Sequence, residues 1–316
     1  MTVLFSAPRW DQDVWMGRIR ERAPGRALQS AGADGVVDDP EAVRYALLWQ
    51  APHGIVADLP NLEVIFWLGA GVDHLMADPD VPDVPIVRVV DPSLTRRMTE
   101  WVVLQVLTHH RDQLRYLDQQ RHREWRAHRC PMAKDVRVGV MGLGELGRDA
   151  AEMLRRLGYD VAGWSRSEKT IEGVACFAGD AGFGAFLART AILVCLLPMT
   201  PATEGILNAD LFSRLARDGR IEGPVVINAG RGKSQVEADI ARALDDGTLA
   251  GVSLDVFETE PLVEASPLWG HPRAILTPHV AAESDPDHLI SYVFDQMETF
   301  EAGGELVNVV DRTRGY

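Results

Sequence analysis

The chain has 316 residues, of which 46% are hydrophobic and 25% charged, and a formal net charge of −14. That length allows two domains with cores of ordinary size. The acidic balance argues against a nucleic-acid partner, which would require a basic face, yet it permits a small anionic ligand held by one or two local arginines. Cys130, Cys176 and Cys195 are far apart and in no metal-binding spacing, so reduced thiols and no metal site are expected. The N-terminus lacks the basic and apolar regions of a signal peptide, and no apolar run approaches the roughly 18 residues of a membrane span. The expected location is cytoplasmic.

In chain order, Thr2–Ser6, Tyr45–Trp49, Val64–Leu68 and Ile86–Val89 read as short strands. Thr95 to Arg123 reads as one long helix, with His109 and His110 on its surface or at a subunit contact. Val136–Met141 is the next strand, then come a glycine-rich turn and a helix over Leu146–Leu157. Strands follow at Asp160–Trp164, Ile192–Leu196, Val225–Asn228, Gly251–Asp255 and Ala274–Leu276, with a helix over Gln235–Asp246 and a last one over Pro286–Phe300. Most of these strands are apolar on both faces and alternate with helices, the pattern of a covered, doubly wound parallel sheet. The first four lie far ahead of the glycine turn and imply a separate α/β unit.

The glycine turn reads Gly142-Leu143-Gly144-Glu145-Leu146-Gly147. Strand before and helix after make it a candidate dinucleotide site. The first glycine permits the turn, the second admits a pyrophosphate to the backbone, and the third lets helix and strand pack closely. The start of the helix, at Glu145 and Leu146, offers unpaired N–H groups and a positive dipole end. About 20 residues beyond the glycines an NAD site places a carboxylate on the ribose 2′-hydroxyl. Here Ser165, Arg166 and Ser167 stand there instead. A guanidinium and hydroxyls suit a 2′-phosphate, so NADP is expected, with NAD left possible by the nearby Glu168. Later strands end in Asn228-Ala229-Gly230-Arg231-Gly232, Asp255 to Leu262, and Thr277-Pro278-His279. Ligands of open α/β sheets bind at such strand ends. Arg231, an acidic side chain and His279 would together supply a cation for a carboxylate, a proton donor and a carboxylate to orient it.

The order GLGELG, LLPMTPATEGIL, NAGRG, LDVFETEPL and TPHVAA resembles the D-isomer-specific 2-hydroxyacid dehydrogenase family over nearly the whole chain. LLWQAPHG, LGAGVDHL and MTEWVVLQVL look most like its glyoxylate/hydroxypyruvate reductase A branch. The resemblance implies two doubly wound parallel-sheet domains. One is a flavodoxin-like substrate domain, residues 1–97 with 285–316, and the other an inserted Rossmann dinucleotide-binding domain, residues 98–284. It implies reduction of a small 2-keto acid, glyoxylate or hydroxypyruvate, to the D-2-hydroxy acid with NADPH. Arg231, Glu260 and His279 match the catalytic residues; Glu260 is preferred to Glu258 because the family glutamate directly precedes proline. Gly142, Gly144 and Gly147 match the pyrophosphate glycines, and Leu197, Pro198, Ala229, Gly230 and Asp255 further cofactor contacts. The backbone amides of Ala70, Gly71 and Val72 match the loop that holds the substrate carboxylate. Trp49 reads equally as a pocket wall and as a core tryptophan. Trp101 and Trp125 read as packing or dimer contacts, and a homodimer through the nucleotide domain is expected. The other readings are an NAD-linked D-2-hydroxyacid dehydrogenase of different substrate range, or a corepressor-like dinucleotide-sensing scaffold. Glu283, Asp285 and Asp287 are unusually acidic for the neighbourhood of an anionic substrate and should either face solvent or narrow substrate choice.

Overall fold

A computed structural model describes residues 2–69, 71–217 and 221–312. The elements run β1 (Thr2–Ser6), α1 (Gln12–Arg22), β2 (Ala27–Ser30), β3 (Val43–Leu48), β4 (Val64–Trp67), α2 (Asp73–Met76), β5 (Ile86–Arg88), α3 (Pro92–His110) and α4 (Gln113–His122). They continue β6 (Arg137–Met141), α5 (Glu145–Arg156), β7 (Asp160–Ser165), β8 (Ala175–Ala178), α6 (Gly179–Arg189), β9 (Ile192–Cys195), α7 (Ala209–Ser213), β10 (Val225–Asn228), α8 (Glu237–Asp245), β11 (Gly251–Leu254), β12 (Ala274–Leu276) and α9 (Pro286–Glu301). The chain divides into two compact units, Met1–Leu94 with Ser284–Tyr316, and Thr95–Glu283. These limits fall three residues and one residue before the boundaries read from sequence.

The first unit holds a parallel sheet in the order β2-β1-β3-β4-β5, the flavodoxin arrangement. β1 and β4 are buried along their whole length, because both faces of the sheet are covered. Helix α9 packs Leu289, Ile290, Val293, Phe294 and Met297 into the core, a stripe at helical spacing. Asp285 caps that helix by accepting from the N–H groups of Asp287 and His288, and Asp287 pairs with Arg18 of α1. Two of the three flagged acidic side chains thus have structural partners within this unit.

The second unit holds seven parallel strands in the order β12-β11-β10-β9-β6-β7-β8. From β8 to β11 this is the Rossmann order, with the direction of winding reversing between β6 and β9. The crevice at the carboxyl ends of those two strands is where such a sheet takes its ligand. Cys195 is fully buried at the end of β9, where burial pushes its thiol up to about 11 and leaves it unreactive.

Two expectations are corrected. The single helix over Thr95–Arg123 is two helices, broken at Asp112, whose φ of 51° is left-handed. No glycine or proline marks the break. His110 is not a surface residue, and His109 is half-buried. His110 is buried between the Tyr159 hydroxyl, 2.7 Å from Nδ1, and the Pro131 carbonyl, 2.9 Å from Nε2. His109 Nε2 lies 2.9 Å from Ser253 Oγ, inside the unit. Of the two tryptophans read as packing or dimer contacts, Trp101 is buried in the core of the second unit and Trp125 is fully exposed. Two further strands are not evident from sequence: β2, whose Ala-Leu-Gln-Ser is half polar, and β8, whose Ala-Cys-Phe-Ala is apolar but short. Each is a half-exposed edge strand of four residues.

Candidate active site

The glycine turn between β6 and α5 is shaped by close approach. Gly142 has a φ of +98°, and its N–H donates to the Trp164 carbonyl at 2.9 Å. A Cβ there would lie 2.7 Å from the Leu196 carbonyl oxygen. A Cβ at Gly147 would sit 1.7 Å from the Gly142 carbonyl oxygen, so no side chain fits. At Gly144 the opposite holds: a Cβ would meet nothing within 4 Å. Gly144 is also the N-cap of α5 and has no side chain to satisfy the first-turn N–H groups, at Glu145 and Leu146. Open space, free amides and a dipole end fit a pyrophosphate. At the end of β7, Ser165 is buried and its hydroxyl donates to the Ser167 carbonyl at 2.8 Å, so it shapes the loop. Arg166 and Ser167 are exposed there. The turn after β9 carries Leu197, which is buried, and Pro198, which is half-buried. Ala229 is buried beside it, its N–H on the Cys195 carbonyl at 3.2 Å.

Arg231 follows β10. The glycines on either side are required by packing: a Cβ at Gly230 would lie 2.7 Å from the Leu197 carbonyl oxygen, and one at Gly232 would lie 1.8 Å from that of Phe257. Arg231 Nη1 donates to the Gly230 carbonyl at 2.7 Å. Its backbone is braced by Asn228 and Gln235, both wholly buried. Sequence reasoning passed over these two amides, because a polar residue beside a motif carries no sign that it will be buried.

The loops after β11 and β12 bring Glu260 and His279 together. Glu260 Oε2 lies 2.9 Å from His279 Nδ1. Glu260 Oε1 accepts from the Phe257 N–H at 3.1 Å, which leaves the carboxylate aimed at the imidazole. Glu258 faces elsewhere and accepts from the Glu237 N–H at 2.6 Å, at the start of α8. His279 is exposed and has a left-handed φ of 57°, a conformation that must be held by its surroundings. Asp255 holds it. Its own carbonyl accepts from the His279 N–H at 2.8 Å. Its carboxylate, 1% exposed, accepts from Thr277 Oγ1 at 2.6 Å and from the Val280 and Ala281 N–H groups at 2.9 Å each. A carboxylate has about four lone-pair sites, so one site on Oδ2 remains for a further donor.

In the first unit, Trp49 lies at the end of β3, stacked on Trp10 with ring centroids 4.7 Å apart. A Cβ at Gly69 would touch Trp49 and Trp67, each at 3.2 Å. Trp49 therefore walls the loop after β4 and is also a packing residue. Trp67 Nε1 donates to the Gly71 carbonyl at 2.7 Å and fixes that loop. Among the described residues, the N–H groups of Gly71 and Val72 find no acceptor. Ala70 lies outside the described residues.

Comparison with known proteins follows the same lines. The sequence profile described as "D-isomer specific 2-hydroxyacid dehydrogenase, NAD binding domain" matches residues 103–281. A glyoxylate/hydroxypyruvate reductase A from Serratia proteamaculans is 38% identical, with 100% of both chains covered. Among solved structures, an NADPH-dependent glyoxylate/hydroxypyruvate reductase from Sinorhizobium meliloti, in complex with NADP and sulfate, matches with a TM-score of 0.95 at 45% identity over 100% of both chains. A D-isomer specific 2-hydroxyacid dehydrogenase from Xanthobacter autotrophicus, in complex with NADPH and MES, matches with a TM-score of 0.93 at 41% identity, over 100% of this chain and 99% of that one.

Proposed function

Because this chain belongs to the D-isomer specific 2-hydroxyacid dehydrogenase family, we propose that it reduces a small 2-keto acid, glyoxylate or hydroxypyruvate, to the D-2-hydroxy acid with NADPH. The observation that carries the chemistry is the 2.9 Å contact between Glu260 and His279, in the unit that holds the glycine cradle. Gly142, Gly144 and Gly147, with the first-turn amides of α5, would hold the pyrophosphate. Arg166 and Ser167 would hold the 2′-phosphate, and the free site on Asp255 Oδ2 the carboxamide. Bound NADPH supplies the hydride. Arg231 binds the carboxylate and keto oxygen of the substrate, and polarises the carbonyl. A carboxylate only accepts hydrogen bonds, so Glu260 fixes the proton on His279 Nδ1. The imidazolium therefore delivers its second proton, on Nε2, to the developing alkoxide oxygen and is left as the neutral imidazole protonated at Nδ1. The N–H groups of Gly71 and Val72 are assigned to the substrate carboxylate.

The domain roles follow: residues 1–97 with 285–316 bind substrate, and residues 98–284 bind the dinucleotide. A homodimer through the nucleotide domain is supported by the exposed apolar side chains Leu104 and Leu107 on α3, and Trp125 and Met132 beyond α4. The cytoplasm is the location in keeping with the free thiols of Cys130, Cys176 and Cys195.

Initial rates with glyoxylate, hydroxypyruvate and pyruvate, each with NADPH and NADH, test this function. Turnover should be fastest with NADPH and a small 2-keto acid, and His279→Asn should lower kcat by about 10²- to 10⁴-fold. NADPH binding without turnover of any 2-keto acid would sink the proposal.

A further inference from the structure

The amides of Asn228 and Gln235 form a buried network around Arg231. Asn228 Oδ1 accepts from the Gly230 N–H at 3.0 Å. Asn228 Nδ2 donates to the Arg231 carbonyl at 3.1 Å and to Gln235 Oε1 at 2.8 Å. Gln235 Nε2 donates in turn to the Val256 carbonyl at 2.9 Å. One side chain thus grips the main chain on both sides of the arginine Cα. The second passes that hold to the residue after Asp255, whose carbonyl and carboxylate fix the His279 loop. Asn228 and Gln235 are 0% and 2% exposed, and both their side-chain oxygens and nitrogens are engaged. Burying two amides is costly unless every polar atom is paired, and once paired they permit a single arrangement.

We propose that Asn228 and Gln235 are positioning residues for the reaction. They hold the Arg231 backbone in one place and couple it to the strand end that fixes His279. The inference rests on the substrate-binding role given to Arg231 above. Neither amide touches substrate. Their effect is on geometry, where a displacement near 1 Å is enough to lower rates by about 10²-fold. Removing the Gln235 amide frees the Val256 carbonyl and one side of Asn228, and the Arg231 loop gains the freedom to shift.

A double-mutant cycle tests this, with kcat and KM measured for a 2-keto acid and NADPH affinity measured by fluorescence in the same samples. Gln235→Met keeps the volume and removes both hydrogen bonds. It should lower kcat/KM for the keto acid by roughly tenfold or more while NADPH affinity stays within about twofold. In an Arg231→Lys background the same change should cost less than about twofold, because the group it positions is already gone. Gln235→Glu provides the second variant. A protonated carboxyl can still accept from Asn228 and donate to Val256, and the neighbouring carboxylates Glu237 and Glu258 favour that neutral form. Its activity relative to the wild type should therefore rise as pH falls. Equal losses from Gln235→Met in both backgrounds, or a Gln235→Glu ratio flat with pH, would overturn the positioning role alone. An Arg231→Lys chain as active as the wild type would overturn the assignment of Arg231 itself, and the positioning role with it.

Discussion

Replacing His109 by glutamine should abolish a specific part of the protein's acid sensitivity. His109 lies on α3 with its ring against the β11 backbone, where a Cβ on Gly251 would come within 2.9 Å of it. Ser253 Oγ donates to Gln105 Oε1 at 2.9 Å, so its lone pairs face His109, and Nε2 must carry the proton of a neutral imidazole. Burial lowers His109 from the ordinary 6.5 to about 4. Between those values the unfolded chain binds a proton that the folded chain refuses. The contribution to stability is therefore complete above pH 6.5 and is lost as pH falls toward 4. Linkage with these two values makes the loss about 1 kcal/mol at pH 5.5 and about 2–3 kcal/mol at pH 4.5. Every other group titrates equally in both proteins, so the assay is a difference. Urea unfolding of the wild type and of His109→Gln is followed at pH 7.5, 5.5 and 4.5. The variant should gain on the wild type by those amounts as pH falls. Curves that stay parallel from pH 7.5 to 4.5 would refute the reasoning, since they would mean that His109 protonates as freely in the fold as outside it.

The glycine turn separates packing from binding. Gly147→Ala forces a Cβ onto the Gly142 carbonyl and should destabilise the protein by about 1–3 kcal/mol or more, seen as a lower melting temperature without cofactor. Gly144→Ala meets open space and should melt like the wild type, yet bind NADPH more weakly by titration. Asp255→Asn sets an NH₂ group against one of the three donors its carboxylate now accepts. An unpaired buried group should cost about 1–3 kcal/mol, and kcat should fall with it as the His279 loop loosens. Arg166→Gln should raise the KM for NADPH about tenfold and leave that for NADH nearly unchanged, because it would remove the charge-assisted bond proposed to the 2′-phosphate. A parallel rise for both cofactors would count against that contact.

Much of the fold was legible because strands such as Ile192–Cys195 and the first three residues of Val225–Asn228 are apolar on both faces, as the covered centre of a parallel sheet favours. The edge strand β2 was not, since an edge can be half polar and still pair, and β8 was not because four apolar residues at a half-exposed edge are too short a run to separate from a loop. The break at Asp112 was equally silent. Helical periodicity runs through it, and only the buried contacts of His110 with Tyr159 and Pro131 show where the first helix is tied down. In the candidate site, motif order pointed to Glu260 and His279, and they meet at 2.9 Å. It gave no hint that Asp255 spends three acceptor positions on the His279 loop, or that Ser165 turns its hydroxyl inward.

The sequence by itself determined which residue types stand at the carboxyl ends of the strands, because strand patterns and glycine spacing are local properties of the chain. Tertiary structure alone decided which polar side chains are buried and whom they bond. Asn228 and Gln235 are seven residues apart, and Gln235 and Val256 twenty-one. A hydrogen bond over such separations exists only after the strands have packed, and its strength comes from the water that packing removes.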